Sequence, residues 1–152
     1  MHLTAMQFHP DGLIVATGTE EGVVQVWDMK TQANVTNFTD HSSTITSIAF
    51  SENGYTMATA ADDGEVKLWD LRNGDCLHTF AMDSHVFSVN FDFSGVYLGV
   101  GTASNLAVFN SKKYNATWSC DEDVNGYHHV LFGDRAQYVM AACGNRAVVK
   151  YY

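Results

Sequence analysis

Between positions 45 and 80 the apolar residues fall in four short bursts, at 45–50, 55–60, 66–69 and 77–80, with turn residues between them. Inside each burst the apolar residues alternate with polar ones or run unbroken for a few positions, the two patterns of half-buried and fully buried strands. No segment carries a convincing helical period, and Pro10, the only proline, sits in a turn sequence. The pattern predicts an all-β chain.

The bursts repeat. Phe8, Phe50, Phe91 and Phe132 are separated by 42, 41 and 41 residues, a period that belongs to propeller blades of four strands. Gly12, Gly54 and Gly95 each follow their Phe by four residues, in the turn sequences His-Pro-Asp-Gly, Ser-Glu-Asn-Gly and Asp-Phe-Ser-Gly. A glycine there supplies the positive φ of a tight hairpin turn. Ala136 takes that place in the fourth repeat, so its turn is expected to differ. Further along, Trp27, Trp69, Phe109 and Tyr151 recur at intervals of 42, 40 and 42. One aromatic per repeat predicts a shared packing role. The blades are expected at about 1–40, 41–81, 82–121 and 122–152, the last without its outer strand.

Composition narrows the function. With 152 residues and 46% hydrophobic content the chain can bury a core. It holds 17 acids against 8 bases, a formal charge of -9, so most of its surface repels phosphate and direct nucleic-acid binding is not expected. A protein partner with basic segments fits better. No stretch reaches the length of a membrane span, and the amino terminus lacks a basic region followed by an apolar one. Cys76, Cys120 and Cys143 are odd in number and form no metal-ligand spacing. They read as small buried side chains of a reducing compartment, which argues against use of the sequons at Asn34, Asn37 and Asn115.

Residues 45–70, through Ala58-Thr59-Ala60-Ala61-Asp62-Asp63 to Leu68-Trp69-Asp70, resemble a WD repeat, and the first repeat, ending Val26-Trp27-Asp28, agrees. The resemblance implies a β-propeller, and within it a buried hydrogen-bonded set of His41, Thr59, Asp63 and Trp69. Loss of Asp63 would then cost about 2–4 kcal/mol through the partners left unpaired. The first repeat keeps Thr17 and Trp27 but has Glu21 at the Asp position. The third, with Val100, Ser104 and Phe109, and the fourth, with Ala141, Asn145 and Tyr151, cannot form the set and are expected to rely on apolar packing.

The second repeat, including Ser51-Glu52-Asn53-Gly54-Tyr55, and Thr17-Gly18-Thr19 with Val35-Thr36-Asn37-Phe38 in the first, is similar to the carboxy-terminal propellers of the pre-mRNA-processing factor nineteen family. These are spliceosomal U-box ubiquitin ligases. The resemblance implies a nuclear docking scaffold for spliceosome-associated subunits or ubiquitination substrates. Any ligase activity would lie in a U-box outside this chain, as would homo-oligomerisation of the parent. A WD scaffold of an unrelated intracellular complex is the alternative. Rings of the resembled family commonly have seven blades, so four are expected to form part of a larger ring whose unpaired strands recruit other chains.

No catalytic residue, metal or cofactor is expected. The loops joining second to third strands and fourth to first strands fall at one end, and they carry the candidate partner-binding acids Glu20, Glu21, Asp40, Asp62, Asp83, Asp121, Glu122 and Asp123. Carboxylates gathered at one end attract a Lys- or Arg-rich segment, although acidic loops also serve solubility alone. His128 and His129 are adjacent on a strand or its edge and point opposite ways, which speaks against a joint site. Gly99-Val100-Gly101 lies on a strand with no helix after it, so it reads as structural and not as a phosphate loop. Lys112, Lys113 and Tyr114 form the one local basic-aromatic cluster.

Overall fold

The computed structural model describes residues 1–121 and 125–151. The first sheet contains β1 (Leu3–Phe8), β2 (Ile14–Thr19), β3 (Val24–Asp28) and β4 (Ala33–Phe38). The second contains β5 (Ile45–Phe50), β6 (Thr56–Ala61), β7 (Glu65–Asp70) and β8 (Asp75–Ala81). The third contains β9 (Val86–Phe91), β10 (Tyr97–Thr102), β11 (Leu106–Asn110) and β12 (Ala116–Cys120), and the fourth β13 (His129–Phe132), β14 (Tyr138–Cys143) and β15 (Arg146–Tyr151). Each is an antiparallel meander, and together they are WD-type propeller blades, as the period predicted.

Cross-strand register divides every blade into two sides. Phe50, Met57 and Trp69 stand opposite one another, and so do Phe91, Leu98 and Phe109. This is the tryptophan side, and paired residues share a face. The opposite side carries small or aliphatic residues, Ala49, Ala58 and Leu68 in the second blade. Three hydrophobic layers are built by pressing the opposite side of one blade onto the tryptophan side of the next. Ala16, Val24 and Val26 of the first blade meet Ile48, Met57 and Trp69 of the second. Ala58, Ala60 and Leu68 meet Val89, Leu98 and Val100 of the third, and Leu106 and Val108 meet Val130, Val139 and Ala141 of the fourth. Phe38 of β4 packs on the Trp69 ring at 4.7 Å, and Phe80 of β8 on Phe109 at 4.5 Å, an aromatic bridge at each of the first two joints.

The joints need small residues on the second strand. A Cβ at Gly18 would overlap the Ile45 side chain, and one at Gly101 would overlap the Tyr127 carbonyl and lie 2.8 Å from Val130 Cγ2. The Gly99-Val100-Gly101 run is therefore explained by blade contact.

Two sequence expectations are corrected, and the expected difference of the fourth-blade turn takes a definite form. Tyr151 is opposite Tyr138, and Lys150 takes the register position of Trp69. The hairpin between the second and third strands is one residue shorter in the third and fourth blades. Counting 19 residues from Phe132, the interval from Phe8 to Trp27 and from Phe50 to Trp69, therefore overshoots by one, which turns the side chain to the other face. Of the cysteines only Cys143 is buried; Cys76 is exposed and Cys120 intermediate, because both sit on outer strands. The fourth-blade turn is a 3-10 turn, Asp134–Ala136, in which Arg135 and Ala136 adopt φ of 52° and 53°. Ala136 N–H still donates to the Gly133 carbonyl, the bond that Gly12, Gly54 and Gly95 make in the other blades.

Candidate functional site

The expected buried set forms in part. Thr59, fully buried on β6, receives the Trp69 indole N–H at 2.8 Å, and its hydroxyl lies 2.7 Å from His41 Nε2. Asp63 does not join it. Its carboxylate is exposed in the turn after β6, where it accepts the Glu65 N–H at 3.0 Å and the Ser42 hydroxyl at 2.9 Å. His41 Nδ1 is buried without a hydrogen-bond partner. With Asp63 committed to its own turn, the large cost expected for its loss moves to Thr59. Burial, reinforced by the nearby Lys67 ammonium, holds the His41 imidazole down to about 4, so it is neutral at physiological pH.

Trp27 donates to Thr17 at 3.0 Å in the first blade, without a histidine. Val100 and Ala141 occupy the Thr59 position in the third and fourth blades and pack among apolar residues. One ring nitrogen of His41 and carboxylate oxygens of Asp63 and Glu65 come within 4.8 Å of each other. Lys67 Nζ lies 3.1 Å from Glu65 and supplies the positive charge there.

The two ends of the blades differ in charge. At the end bearing the β2–β3, β4–β5, β6–β7 and β8–β9 connections, those four segments contain six of the 17 acids and none of the eight Lys and Arg residues. Glu20, Asp40, Asp62, Asp83 and Asp121 are all exposed at this end. Glu122 and Asp123 lie outside the described residues. Cross-blade bonds fix these loops: Thr44 Oγ1 donates to the Glu20 carbonyl at 3.1 Å, Asp62 N–H to Thr44, and Met82 N–H to Gly64.

At the other end several acids are held by their own turns, while Glu52, Asp75 and Asp134 stay exposed. Asp11 accepts Leu13 N–H, Asp28 accepts Lys30 and Thr31 N–H, and Asp92 accepts Ser94 and Tyr97 N–H. These backbone donors pull the Asp11 and Asp28 carboxyls below the usual range. Arg72 grips Asp70 through Nε and Nη2 and holds it down to about 2. Lys30, Arg72, Lys112, Lys113 and Arg135 are in the loops of this end. The loops of the first end thus carry acids without Lys or Arg and form a net negative surface, whereas the second end mixes turn-capping acids and the exposed Glu52, Asp75 and Asp134 with five bases.

One feature of the acidic end was not anticipated. Asp62 pairs with His85 Nδ1, His85 packs on Phe87 with ring centres 4.4 Å apart, and Phe87 on His128 at 4.3 Å. The three rings form a ladder across the third and fourth blades. His85 and Phe87 are two apart at the head of a first strand, the spacing that places side chains on one side, but the Asp62 and His128 ends of the ladder come from other blades. His129 turns away and lines a trough of about 520 Å³ with the four first strands, β1, β5, β9 and β13. Tyr114, in the basic cluster, is stacked on His78 at 4.6 Å with the rings 5° apart.

A family model described as the amino-terminal domain of nucleolar-protein-10-like proteins, a β-propeller, matches residues 1–110. Pre-mRNA-processing factor 19 of Homo sapiens is 44% identical over 152 residues, covering 99% of this chain and 30% of its own length. The protein of that name in Oryza sativa subsp. japonica is 44% identical over 151 residues, covering 94% of this chain and 28% of its own. Pre-mRNA-processing factor 19 homolog 2 of Arabidopsis thaliana is 46% identical over 149 residues, with 94% and 28% covered. The chain spans under a third of the length of these curated relatives. Its repeat register, its blade-on-blade layers and these matches agree: the chain belongs to the WD-type β-propeller family, with similarity to pre-mRNA-processing factor 19 along nearly its whole length.

Proposed function

We propose that this chain is a protein-docking element of a nuclear pre-mRNA-processing assembly, and that it captures a Lys- or Arg-rich segment of a partner on its acidic end. The observation that carries this reading is the unequal charge of the two ends: one mixes its acids with Lys30, Arg72, Lys112, Lys113 and Arg135, the other leaves Glu20, Asp40 and Asp83 exposed, beside the His85-paired Asp62, with no Lys or Arg in its loops. Unspent carboxylates of one sign raise the local concentration of a cationic partner and speed its association, and salt weakens the effect. The relatives' names supply the assembly. Any ubiquitin transfer belongs, in this reading, to residues outside the chain, whose own share is recruitment.

The test is affinity capture from nuclear extract with the native chain, a variant carrying Asp40→Lys, Asp62→Lys and Asp83→Lys, and a variant carrying Lys112→Glu and Lys113→Glu at the other end. Loss of splicing-associated proteins in the first variant alone is expected. Equal capture by all three would reject the acidic end as the docking surface.

A further inference from the structure

The joint between the third and fourth blades is open at its turn end, where the first two joints are sealed. In those two, the residue after the first-strand Phe meets the turn of the next blade. His9 sets its ring edge-on to Phe50, with centres 5.2 Å apart, and donates from Nε2 to the Gly54 carbonyl at 2.9 Å. Ser51, fully buried, packs so closely on Gly95 that a Cβ there would overlap its Oγ. Asp92, the third such residue, is committed to its own turn, where it accepts the Ser94 and Tyr97 N–H groups. Opposite it the fourth blade has the 3-10 turn Asp134–Ala136 in place of a glycine turn. A cleft of about 620 Å³ is left between the two turns, inside a joint whose walls are both blades of this chain.

Aromatic rings line the cleft. Tyr97 and Phe132 are only half-buried in it, although Phe50 and Phe91, the register equivalents of Phe132, are 9% and 7% exposed. Phe93 also lines it and is 85% exposed, more than any other large apolar residue among those described. Closing a large apolar side chain between such rings removes all of them from water, so the arrangement favours an apolar occupant.

The charges around the cleft are mostly positive. Arg135 lines it, 83% exposed, and its contact with Asp134 is long at 3.9 Å, so little of its charge is spent. The turn bearing the exposed Lys112 and Lys113 is fastened to the cleft's own turn by Ser111. That residue donates its N–H to the Val96 carbonyl at 2.8 Å and its hydroxyl to the Gly95 carbonyl at 2.6 Å. Asp92 is 3% exposed, which leaves Asp134 as the exposed acid of the lining.

We propose that this cleft docks a partner segment in which one large aliphatic side chain is flanked by Asp or Glu. The aliphatic side chain enters between Phe93, Tyr97 and Phe132, and the acids meet Arg135, Lys112 and Lys113. The buried anchor carries the affinity, while the bases stand in water and act mainly on the association rate. Charge reversal at Lys112 and Lys113 therefore weakens binding only about three-fold. The cleft is at the opposite end from Glu20, Asp40 and Asp83, so this proposal and the acidic-end reading fail separately.

Fluorescence anisotropy with labelled peptides on the 152-residue chain tests this. The probe is Gly-Asp-Glu-Leu-Glu-Asp-Gly; one companion has Ala for the Leu, and a second has Lys for every acid. The probe is expected to bind with a dissociation constant of about 100 µM, and the Ala companion at least about 10-fold more weakly. Phe93→Ala should weaken the probe about 10-fold. Arg135→Gly, which suits the left-handed backbone at that position, should weaken it about three-fold. Both side chains are exposed, so both variants should fold, as circular dichroism will show, and either one alone keeps the test decisive. Asp40→Lys with Asp83→Lys should leave probe binding within about two-fold, and the Lys companion should not respond to Phe93→Ala. Absence of probe binding, equal binding of the Leu and Ala peptides, or a probe indifferent to Phe93→Ala and Arg135→Gly would each overturn the proposal. A Lys companion that binds as tightly as the probe and is lost with Phe93→Ala would overturn it as well.

Discussion

Thr59→Val isolates the hydrogen-bonded set in the second blade with little change of shape. Thr59 is fully buried, Trp69 is 2% exposed and His41 5%, and the hydroxyl serves both the indole N–H and His41 Nε2. Valine leaves those two groups unpartnered in an apolar layer, at about 1–3 kcal/mol each, and returns about 1 kcal/mol because a methyl is easier to bury than a hydroxyl. The net cost is about 1–5 kcal/mol, centred on about 3. Thr17→Val in the first blade removes a single bond to Trp27, which is only half-buried on the bare side of its blade. Water can replace that partner, so the cost there is under about 1 kcal/mol. Asp63→Ala, which removes two exposed turn contacts, is likewise expected near 1 kcal/mol. Urea unfolding followed by circular dichroism gives all three. If Thr59→Val costs no more than Thr17→Val, the buried set contributes nothing that the exposed one lacks, and the reasoning fails.

Acid should destabilise the chain through His41 in a definite window. Its folded value of about 4 lies below the 6.5 of an unfolded histidine, so the stabilisation is complete above 6.5 and is lost as pH falls toward 4. The loss amounts to about 2–3 kcal/mol, and His41→Gln should flatten that part of the urea-midpoint curve against pH; an unchanged slope would remove His41 as its source. Gly101→Ala forces a methyl group into the Tyr127 carbonyl and the Val130 side chain. Overpacking of that kind costs about 1–3 kcal/mol, a fall in Tm of about 3–9 °C; an unshifted Tm would mean the third and fourth blades do not meet there.

The blades were legible because their signal is local. The Phe8 to Phe132 register, the turn glycines and the short apolar bursts all lie within single hairpins, and each hairpin formed where it was expected. What escaped was set by neighbours. Leu3, Met6 and Phe8 have the same pattern as Ile45, Ile48 and Phe50, yet one set is bare and the other covered; only the presence of an adjacent blade separates them. Tyr151 was misplaced because one residue fewer in a hairpin reverses the facing of everything after it. Asp63 sits at the position the WD pattern assigns to a histidine partner, but its Oδ1 bonds to Glu65 N–H and its Oδ2 to Ser42, contacts that spacing alone does not report. The acids look alike in sequence; which of them cap turns, as Asp11, Asp28 and Asp92 do, and which stay unspent, as Glu20, Asp40 and Asp83 do, appears only when each carboxylate is followed to its donor.

The central claim is that partners dock on the acidic end. Hydrogen exchange on the chain, free and bound to a protein recovered by the capture experiment, reads the footprint directly. New protection is expected in 39–44, 62–64 and 82–85, weakening as salt is raised, with 29–32, 71–74 and 111–115 unchanged. Protection confined to those latter loops would contradict it.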